Sequence, residues 1–172
     1  MLETIEKRRS CRKFDSSRMP EMEKIEAVVK AGLLAPSAIN TQGGIIIAIT
    51  NKEIRNKLSA LNMSFGARRP GDPFYGAPVV LLVAVKKWPL AVYDGSVMIE
   101  NMLLEATNQG LGCCWIHRAK EELESAEGRA LLSSVGLDLE EYEGVGHVIL
   151  GYSLIDEYPP KEIKENREFW IK

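Results

Sequence analysis

An uninterrupted apolar run at residues 78–85 constrains the fold of this chain more than any other stretch. A strand with one face in water alternates apolar and polar residues, whereas a strand that is apolar throughout has to be covered on both faces. The run therefore predicts a central strand with helices on each side of it. Apolar runs at residues 45–50, 111–116 and 145–152 predict further strands.

Apolar residues at helical spacing predict helices at residues 20–35, 53–61, 92–109 and 121–135. The last of these patterns has a break near Gly128. The pattern at 92–109 is apolar over most of its circumference, and such a helix is buried in a large core or between subunits. In a chain of 172 residues we favour burial against a second subunit.

Composition limits the class of protein. A length of 172 residues fits a single domain, 1–172, and a net charge of −2 with a pI of about 5.8 gives no positive field for DNA or RNA. The three cysteines form no disulfide framework, which favours a reducing cytosol. The sequence shows neither a signal peptide nor an apolar stretch of the roughly 18 residues that a membrane span needs. We therefore expect a soluble cytoplasmic protein without membrane contact.

A basic segment near the start of the chain predicts an anion site. It reads Arg8-Arg9-Ser10-Cys11-Arg12-Lys13-Phe14. Burying several guanidinium groups without an anionic partner costs several kcal/mol or more. Arginine forks and a serine hydroxyl match phosphate oxygens, so the segment predicts a phosphate site on a cofactor or nucleotide. The alternative is a solvated basic turn.

The remaining polar residues do not form a recognisable catalytic or metal centre. Gly110 and Gly112 follow a helix and enter a strand, the reverse of the dinucleotide-binding context. Cys113 and Cys114 point to opposite faces of a strand and match no closed zinc set, so we expect small core residues and no metal. His147 lies in a Val/Ile strand and is expected to be a hydrogen-bonded core residue. No nucleophilic triad is arguable, which favours chemistry carried by a bound organic cofactor.

Three segments in this order resemble the signatures of the FMN-dependent nitroreductase family, and the likeness runs over nearly the whole chain. They are the basic segment 8–14, residues 35–42 (APSAINTQ) and residues 110–116 (GLGCCWI). The resemblance implies an α+β fold with a mostly antiparallel sheet flanked by helices. It also implies a homodimer with two FMN molecules at the subunit interface.

The resemblance further implies roles for the basic segment. Arg8 and Ser10 are expected to hold the FMN phosphate, with Arg9 beside them. Arg12 is expected to approach the ribityl chain and the N1/O2 edge of the flavin. Reduction leaves negative charge at N1, and an arginine beside it stays protonated.

The 36–42 loop is expected to come from the second subunit. Pro36, Ser37 and Ala38 resemble the backbone that lies against the flavin ring, where only small side chains fit. Asn40 and Gln42 resemble the amides that reach the ribityl chain or ring heteroatoms, using both donors and acceptors.

The turn after the third strand and the tail complete the implied cofactor site. Backbone N–H groups at His117 and Arg118 are expected to face flavin N5 and O4. The tail, residues 158–172, is expected to dock on the partner subunit and close on the phosphate. The candidate tail residues are Lys161 and Lys164, with Arg167 as the alternative.

Residues 63–77 show no period and predict a long functional or mobile loop. Phe65, Phe74 and Tyr75 in this loop are candidates for a substrate pocket, because aromatic rings stack on planar acceptors. Plain packing is the alternative interpretation of these rings.

The resulting hypothesis is an oxidoreductase that uses FMN and NAD(P)H. NAD(P)H and a nitroaromatic, quinone or related acceptor would occupy one slot in turn, with no catalytic side chain. The alternatives are another flavin reaction on the same fold, such as reductive dehalogenation or ring dehydrogenation, and a non-catalytic flavin-binding protein. An RNA-binding module that uses the basic segment is disfavoured by the acidic pI.

Overall fold

The structure, a computed structural model, describes residues 2–66 and 71–172. Its helices are α1 (Leu2–Lys7), α2 (Met22–Leu33), α3 (Lys52–Ser64), α4 (Ala91–Asn108), α5 (Ala119–Glu124) and α6 (Ala126–Leu131). Its strands are β1 (Gly44–Ile49), β2 (Val79–Lys86), β3 (Gly112–Ile116) and β4 (Tyr142–Gly151). Short 3₁₀ turns lie at Ala38–Asn40, Ser133–Val135 and Leu139–Glu141. All four predicted strands are confirmed, and β4 begins earlier than the predicted start at residue 145.

The four strands form an antiparallel sheet in the order β1-β2-β4-β3. β2 lies in the interior of this sheet, and every residue from Val79 to Val85 is fully buried. The prediction of a central strand is therefore confirmed. The pairing of β2 with β4 shifts between Val83 and Ala84, where Val145 is the extra residue on β4.

Helices cover both faces of the sheet, which confirms the α+β fold. Leu81 packs into the cluster under α2 and α4, whereas Leu82 packs into the cluster on the side of α3 and α5. Cys113 and Cys114 divide between the two clusters in the same way and are 1% and 4% exposed. The two cysteines enter opposite faces because side chains alternate along a strand. Their burial confirms the prediction that both are small core residues.

α4 buries one side against the sheet and α2, with Met98, Ile99 and Met102 in that interface. It leaves apolar side chains of Val92, Tyr93 and Val97 exposed. The helix therefore contributes to the core of its own chain. Its burial against a second subunit stays a prediction.

The pattern at 121–135 breaks at Ser125 rather than near Gly128, where the sequence placed the break. Ser125 has extended ψ and its hydroxyl accepts the N–H of Gly128, so it caps α6. Gly128 lies inside α6, and a Cβ there would stand 2.1 Å from the carbonyl oxygen of Glu122. The glycine permits the close approach of α6 to α5 and does not end a helix.

The loop predicted at 63–77 begins later than expected, because α3 continues to Ser64. Residues 67–70 of that loop lie outside the described residues. After Ser153 the chain has no regular secondary structure, and most of its side chains are exposed. In the described part of the chain, no helix combines the length and apolarity that crossing a bilayer requires.

Candidate functional site

The basic segment lies along the free edge of β3. Ser10 and Cys113 form an isolated parallel β-bridge, and the N–H of Cys11 donates to the carbonyl of Cys113 at 2.8 Å. The chain then turns, and the N–H of Asp15 donates to the carbonyl of Tyr152 at 2.9 Å. The segment is thus fixed at two points beside β3 and the residues that follow β4.

The side chains of the basic segment differ in burial. Cys11 and Phe14 are buried and pack where Gly112 leaves room for them. Ser10 is half-buried and Arg12 is exposed. The guanidinium of Arg12 therefore lies on the side that solvent or a ligand reaches, whereas the hydroxyl of Ser10 lies beside the Cys114 thiol.

None of the three arginines in the segment has a carboxylate partner among the described residues. In residues 2–66 and 71–172, no carboxylate oxygen lies within 4 Å of the guanidinium of Arg8 or Arg12. Arg9 instead donates to backbone carbonyls, among them that of Arg8 at 2.8 Å and that of Pro159 at 3.5 Å. Within this part of the chain, nothing competes with an external anion for Arg8 and Arg12.

The thiols beside these arginines are not themselves anions. Burial raises the pKa of Cys113 to about 12, although the nearby charge of Arg8 opposes that rise. Burial also raises the pKa of Cys114, against the opposing effects of Arg12 and of the Ser10 hydroxyl. Neutral thiols leave the positive charge uncompensated.

The turn at the end of β3, residues 116–118, has an unusual backbone conformation. Arg118 has a φ of +83°, in the left-handed region, and forms the N-cap of α5. Its guanidinium forms an ion pair with Glu121. Among the described residues, the N–H groups of His117 and Arg118 donate to no other backbone group. The roles predicted for these two N–H groups, toward flavin N5 and O4, stay predictions.

The 36–42 loop is held in a strained conformation by its own polar groups. Asn40 and Gln42 have φ values of +57° and +48°. The N–H of Gln42 donates to the hydroxyl of Ser37 at 2.9 Å, and the Gln42 side-chain amide donates to that of Asn40 at 3.0 Å. Such strain in non-glycine residues is typical of ligand-binding loops.

Asp94 anchors this loop to α4, a role that the sequence did not reveal. Its Oδ1 accepts the N–H of Ala38 at 2.9 Å. The residue is only 6% exposed, and its Oδ2 has no hydrogen-bond partner among the described residues. The sequence signal that could have identified Asp94 is an acidic residue in the first turn of an apolar helix.

One chain does not bring the 36–42 loop to the basic segment. The loop precedes β1 at one edge of the sheet, and the basic segment follows the β3 edge. Three strand spacings of about 4.8 Å, roughly 14 Å in all, separate these two edge strands.

The aromatic residues of the 63–77 loop divide into different environments. Phe74 is fully buried, with its ring centroid 5.4 Å from that of His147. Its assignment to a substrate pocket is wrong, because a residue without exposed surface cannot stack on an acceptor that enters from solvent. Tyr75 is 39% exposed and Phe65 is half-buried, so both remain candidates.

His147 has the core role predicted for it. The residue is fully buried, and its Nε2 lies 2.7 Å from the Oε2 of Glu122. Sequence reasoning missed Glu122 and Asn62, which complete this polar network.

The start of the tail passes beside the basic segment. The Tyr158 hydroxyl is buried near Cys11 and Ser153, and burial raises its pKa to about 12. Lys161 and Lys164, a few residues further on, are exposed, as is Arg167. The tail lysines lie close in sequence to the contact between Arg9 and Pro159. Their closure on the FMN phosphate stays a prediction.

The site therefore offers an uncompensated cationic surface, one hydroxyl and free backbone N–H groups along a single strand edge. These groups fit a phosphate-bearing cofactor with a ring that accepts hydrogen bonds. Among residues 2–66 and 71–172, no cluster of three or more His, Cys, Asp or Glu residues is arranged to hold a metal.

Comparison with known proteins identifies the class that this fold and site define. Residues 5–152 match the sequence profile described as the Nitroreductase family. The chain belongs to the nitroreductase family.

Individual relatives agree with this assignment. A protein of Archaeoglobus fulgidus, provisionally named NADH dehydrogenase/NAD(P)H nitroreductase, is 32% identical over 168 residues, covering 95% of this chain and 87% of that protein. A protein of Methanothermobacter thermautotrophicus with the same name is 32% identical over 120 residues, covering 67% of this chain but only 59% of the relative. The crystal structure of a nitroreductase with bound FMN from Bacteroides fragilis gives a TM-score of 0.88 at 28% identity, covering 99% of this chain and 98% of that chain.

Proposed function

We propose that this protein is an FMN-dependent oxidoreductase that transfers electrons from NAD(P)H to nitroaromatic, quinone or related planar acceptors. The observation that carries the proposal is the pair of guanidinium groups, Arg8 and Arg12, on the β3 edge of a nitroreductase-family chain. Neither group has a carboxylate partner in the described part of the chain. The FMN named for the structure from Bacteroides fragilis supports the choice of cofactor.

The residues present suggest how each part of FMN is held. Arg8 and Ser10 would bind the phosphate, with Arg9 positioned by backbone carbonyls next to them. Arg12 would lie at the N1/O2 edge, where a permanent cation stabilises negative charge. The N–H groups of His117 and Arg118 would donate to the N5/O4 edge.

We propose that a second copy of the chain completes the site with Pro36, Ser37, Ala38, Asn40 and Gln42. The large apolar side chains that one copy leaves exposed support a homodimer. They include Ile39 in the same loop, Tyr93 and Val97 on α4, and Phe169 and Trp170 in the tail. Extensive exposed apolar surface is typical of an interface.

Bound FMN would supply the redox chemistry, taking a hydride from NAD(P)H and passing two electrons to the acceptor. For a quinone the balance is NAD(P)H plus H⁺ plus quinone giving NAD(P)⁺ plus hydroquinone. The protein would supply position and charge, and solvent would supply the proton. One slot beside the ring would serve donor and acceptor in turn.

The proposal is tested by titrating the purified protein with FMN and following the absorbance and fluorescence of the flavin. Arg8→Ala and Arg12→Ala each remove a charge-assisted contact of about 1.5–3 kcal/mol, which corresponds to a loss of affinity of roughly 10-fold to 150-fold. Lys7→Ala is the matched control, because Lys7 is exposed and paired with Glu3.

NAD(P)H oxidation is then measured with menadione or nitrofurazone as acceptor. Activity in the wild type and loss of FMN affinity in the arginine variants support the proposal. Absence of FMN binding overturns it, as does a stable monomer that remains yellow. Bound FMN without NAD(P)H oxidation would identify a non-catalytic flavin-binding protein.

A further inference from the structure

Three buried polar side chains from different elements meet behind the turn at residues 116–118. Glu122 on α5 and His147 on β4 are fully buried, and Asn62 on α3 is 4% exposed. The side-chain amide of Asn62 donates to Glu122 Oε1 at 2.6 Å, and Glu122 Oε2 lies 2.7 Å from His147 Nε2. The network joins three elements that are distant in sequence.

Both ring nitrogens of His147 have polar partners in this network. Nδ1 lies 3.4 Å from the carbonyl oxygen of Ile116, and because a carbonyl only accepts, the hydrogen of that contact belongs to Nδ1. Nε2 lies 2.7 Å from Glu122 Oε2. Neither nitrogen of the ring is left without a partner, which reduces the cost of burying it.

Both outer ends of the network contact the backbone of the turn. His147 faces the carbonyl of Ile116, and the Asn62 amide also donates to the carbonyl of His117 at 2.9 Å. These carbonyls belong to the peptide units that supply the N–H groups of His117 and Arg118. Fixing the carbonyls fixes the planes of those peptides, and so the direction of both N–H groups.

We propose that Asn62, Glu122 and His147 are positioning residues that aim the backbone N–H groups of residues 117 and 118 at the flavin ring. This role rests on the proposed function. Among the described residues, no hydrogen bond joins the network to the basic segment or to the 36–42 loop, so it would tune the bound flavin without holding its phosphate. O4 gains electron density on reduction without taking up a hydrogen, so a donor aimed at O4 favours the reduced state.

The test uses the full-length protein loaded with FMN and the substitution Asn62→Ala, which removes both donated hydrogen bonds. We expect the equilibrium constant for two-electron reduction of the bound FMN to fall about tenfold, a midpoint potential ~30 mV more negative. The FMN dissociation constant should change by less than about threefold. Hydrogen exchange at residues 116–119 should become faster with and without FMN.

Asn101→Ala is the matched control. Asn101 also donates its side-chain amide to a backbone carbonyl, that of Ala31 at 3.2 Å, but between α4 and α2. We expect the control to leave the potential and the exchange at residues 116–119 unchanged. Glu122→Gln is the conservative variant, because its amide can donate to a neutral His147 ring while its oxygen still accepts from Asn62. We expect a potential close to that of the wild type.

Equal shifts in potential for Asn62→Ala and Asn101→Ala would overturn the positioning role, as would unchanged exchange at the turn in Asn62→Ala. Failure of the wild type to bind FMN would appear before any variant is made and would overturn the proposed function, and this role with it. The two failures are therefore distinguishable.

Discussion

Asp72 fastens the end of the 63–77 loop to α3, and Asp72→Asn measures the strength of that anchor. One carboxylate oxygen, Oδ1, accepts the Ser59 hydroxyl at 2.7 Å and the N–H of Phe74 at 2.9 Å. The other, Oδ2, accepts the guanidinium of Arg55 and the N–H of Gly76, the latter at 2.7 Å. Phe74 beyond this anchor packs against His147.

The magnitude of the effect follows from which oxygen an asparagine can replace. The substituted side chain would keep the contacts of Oδ1, but an amide nitrogen in place of Oδ2 would face two donors. Two charge-assisted hydrogen bonds at about 1.5 kcal/mol each sum to ~3 kcal/mol. The Asp72 side chain is 30% exposed, and solvent screening reduces the expected loss to ~2 kcal/mol. For a chain of this size the melting temperature should fall by about 4–8 °C.

The assay is thermal unfolding at one fixed protein concentration, since association would make the midpoint concentration-dependent. Asp15→Asn is the matched control. Asp15 accepts the N–H and the hydroxyl of Ser17 through its Oδ1 alone, and both contacts survive in an asparagine. We expect the control to melt close to the wild type.

The dependence of stability on pH provides a second test of the Asp72 contacts. Burial alone raises the pKa of the Asp72 carboxyl, but Arg55, Ser59 and the two backbone N–H groups together lower it below its usual value. A lowered pKa contributes stability that is complete above the unfolded value near 3.9 and is lost as the pH falls through the folded value. The difference between wild type and Asp72→Asn should therefore be constant from about pH 5 to 8 and shrink below about pH 4. A melting temperature equal to that of Asp15→Asn, or a difference that persists undiminished at about pH 3, would refute the reasoning.

The remaining predictions concern the packing of α6 and the 36–42 loop. Gly128→Ala places a Cβ 2.1 Å from the carbonyl oxygen of Glu122, so α5 and α6 must move apart. We expect the free energy of unfolding, measured with a chemical denaturant, to fall by about 2 kcal/mol. An unchanged denaturation midpoint would contradict the packing role of Gly128. Asp94→Ala removes the acceptor for the Ala38 N–H and should weaken FMN binding about tenfold in a fluorescence titration. Asp94→Asn keeps Oδ1 and should bind FMN as the wild type does. Equal FMN affinities for the two variants would exclude a role of Asp94 as the anchor of the loop.

Much of the sheet is predictable from the sequence because its signal is local. The run at 78–85 identifies the central strand, and the alternation of side chains sends Cys113 and Cys114 to opposite clusters. The helix break was misplaced because glycine is the more familiar breaker. At Ser125 the capping hydroxyl ends one helix and begins the next, and Gly128 serves close packing instead.

The contacts that position the site are not local, and the sequence did not reveal them. Asn62, Glu122 and His147 lie on three elements and meet only because α3 and α5 cover the same face of the sheet. Phe74 stands in a stretch rich in glycine and proline, which predicts exposure. Asp72 and Arg55 fold that stretch back onto the core, so that an aromatic residue assigned to a pocket becomes fully buried.

The separation of the two loop motifs has a thermodynamic consequence within the proposed function. The basic segment and the 36–42 loop lie at opposite edges of the sheet, so each copy would offer the phosphate site for one FMN and the ring-side loop for the other. Cofactor binding and association are then linked equilibria, and each must strengthen the other by the same factor. The exposed strained loop and the arginines of the basic segment are, in this view, two halves of one site. Each half would receive its counterpart from the other copy.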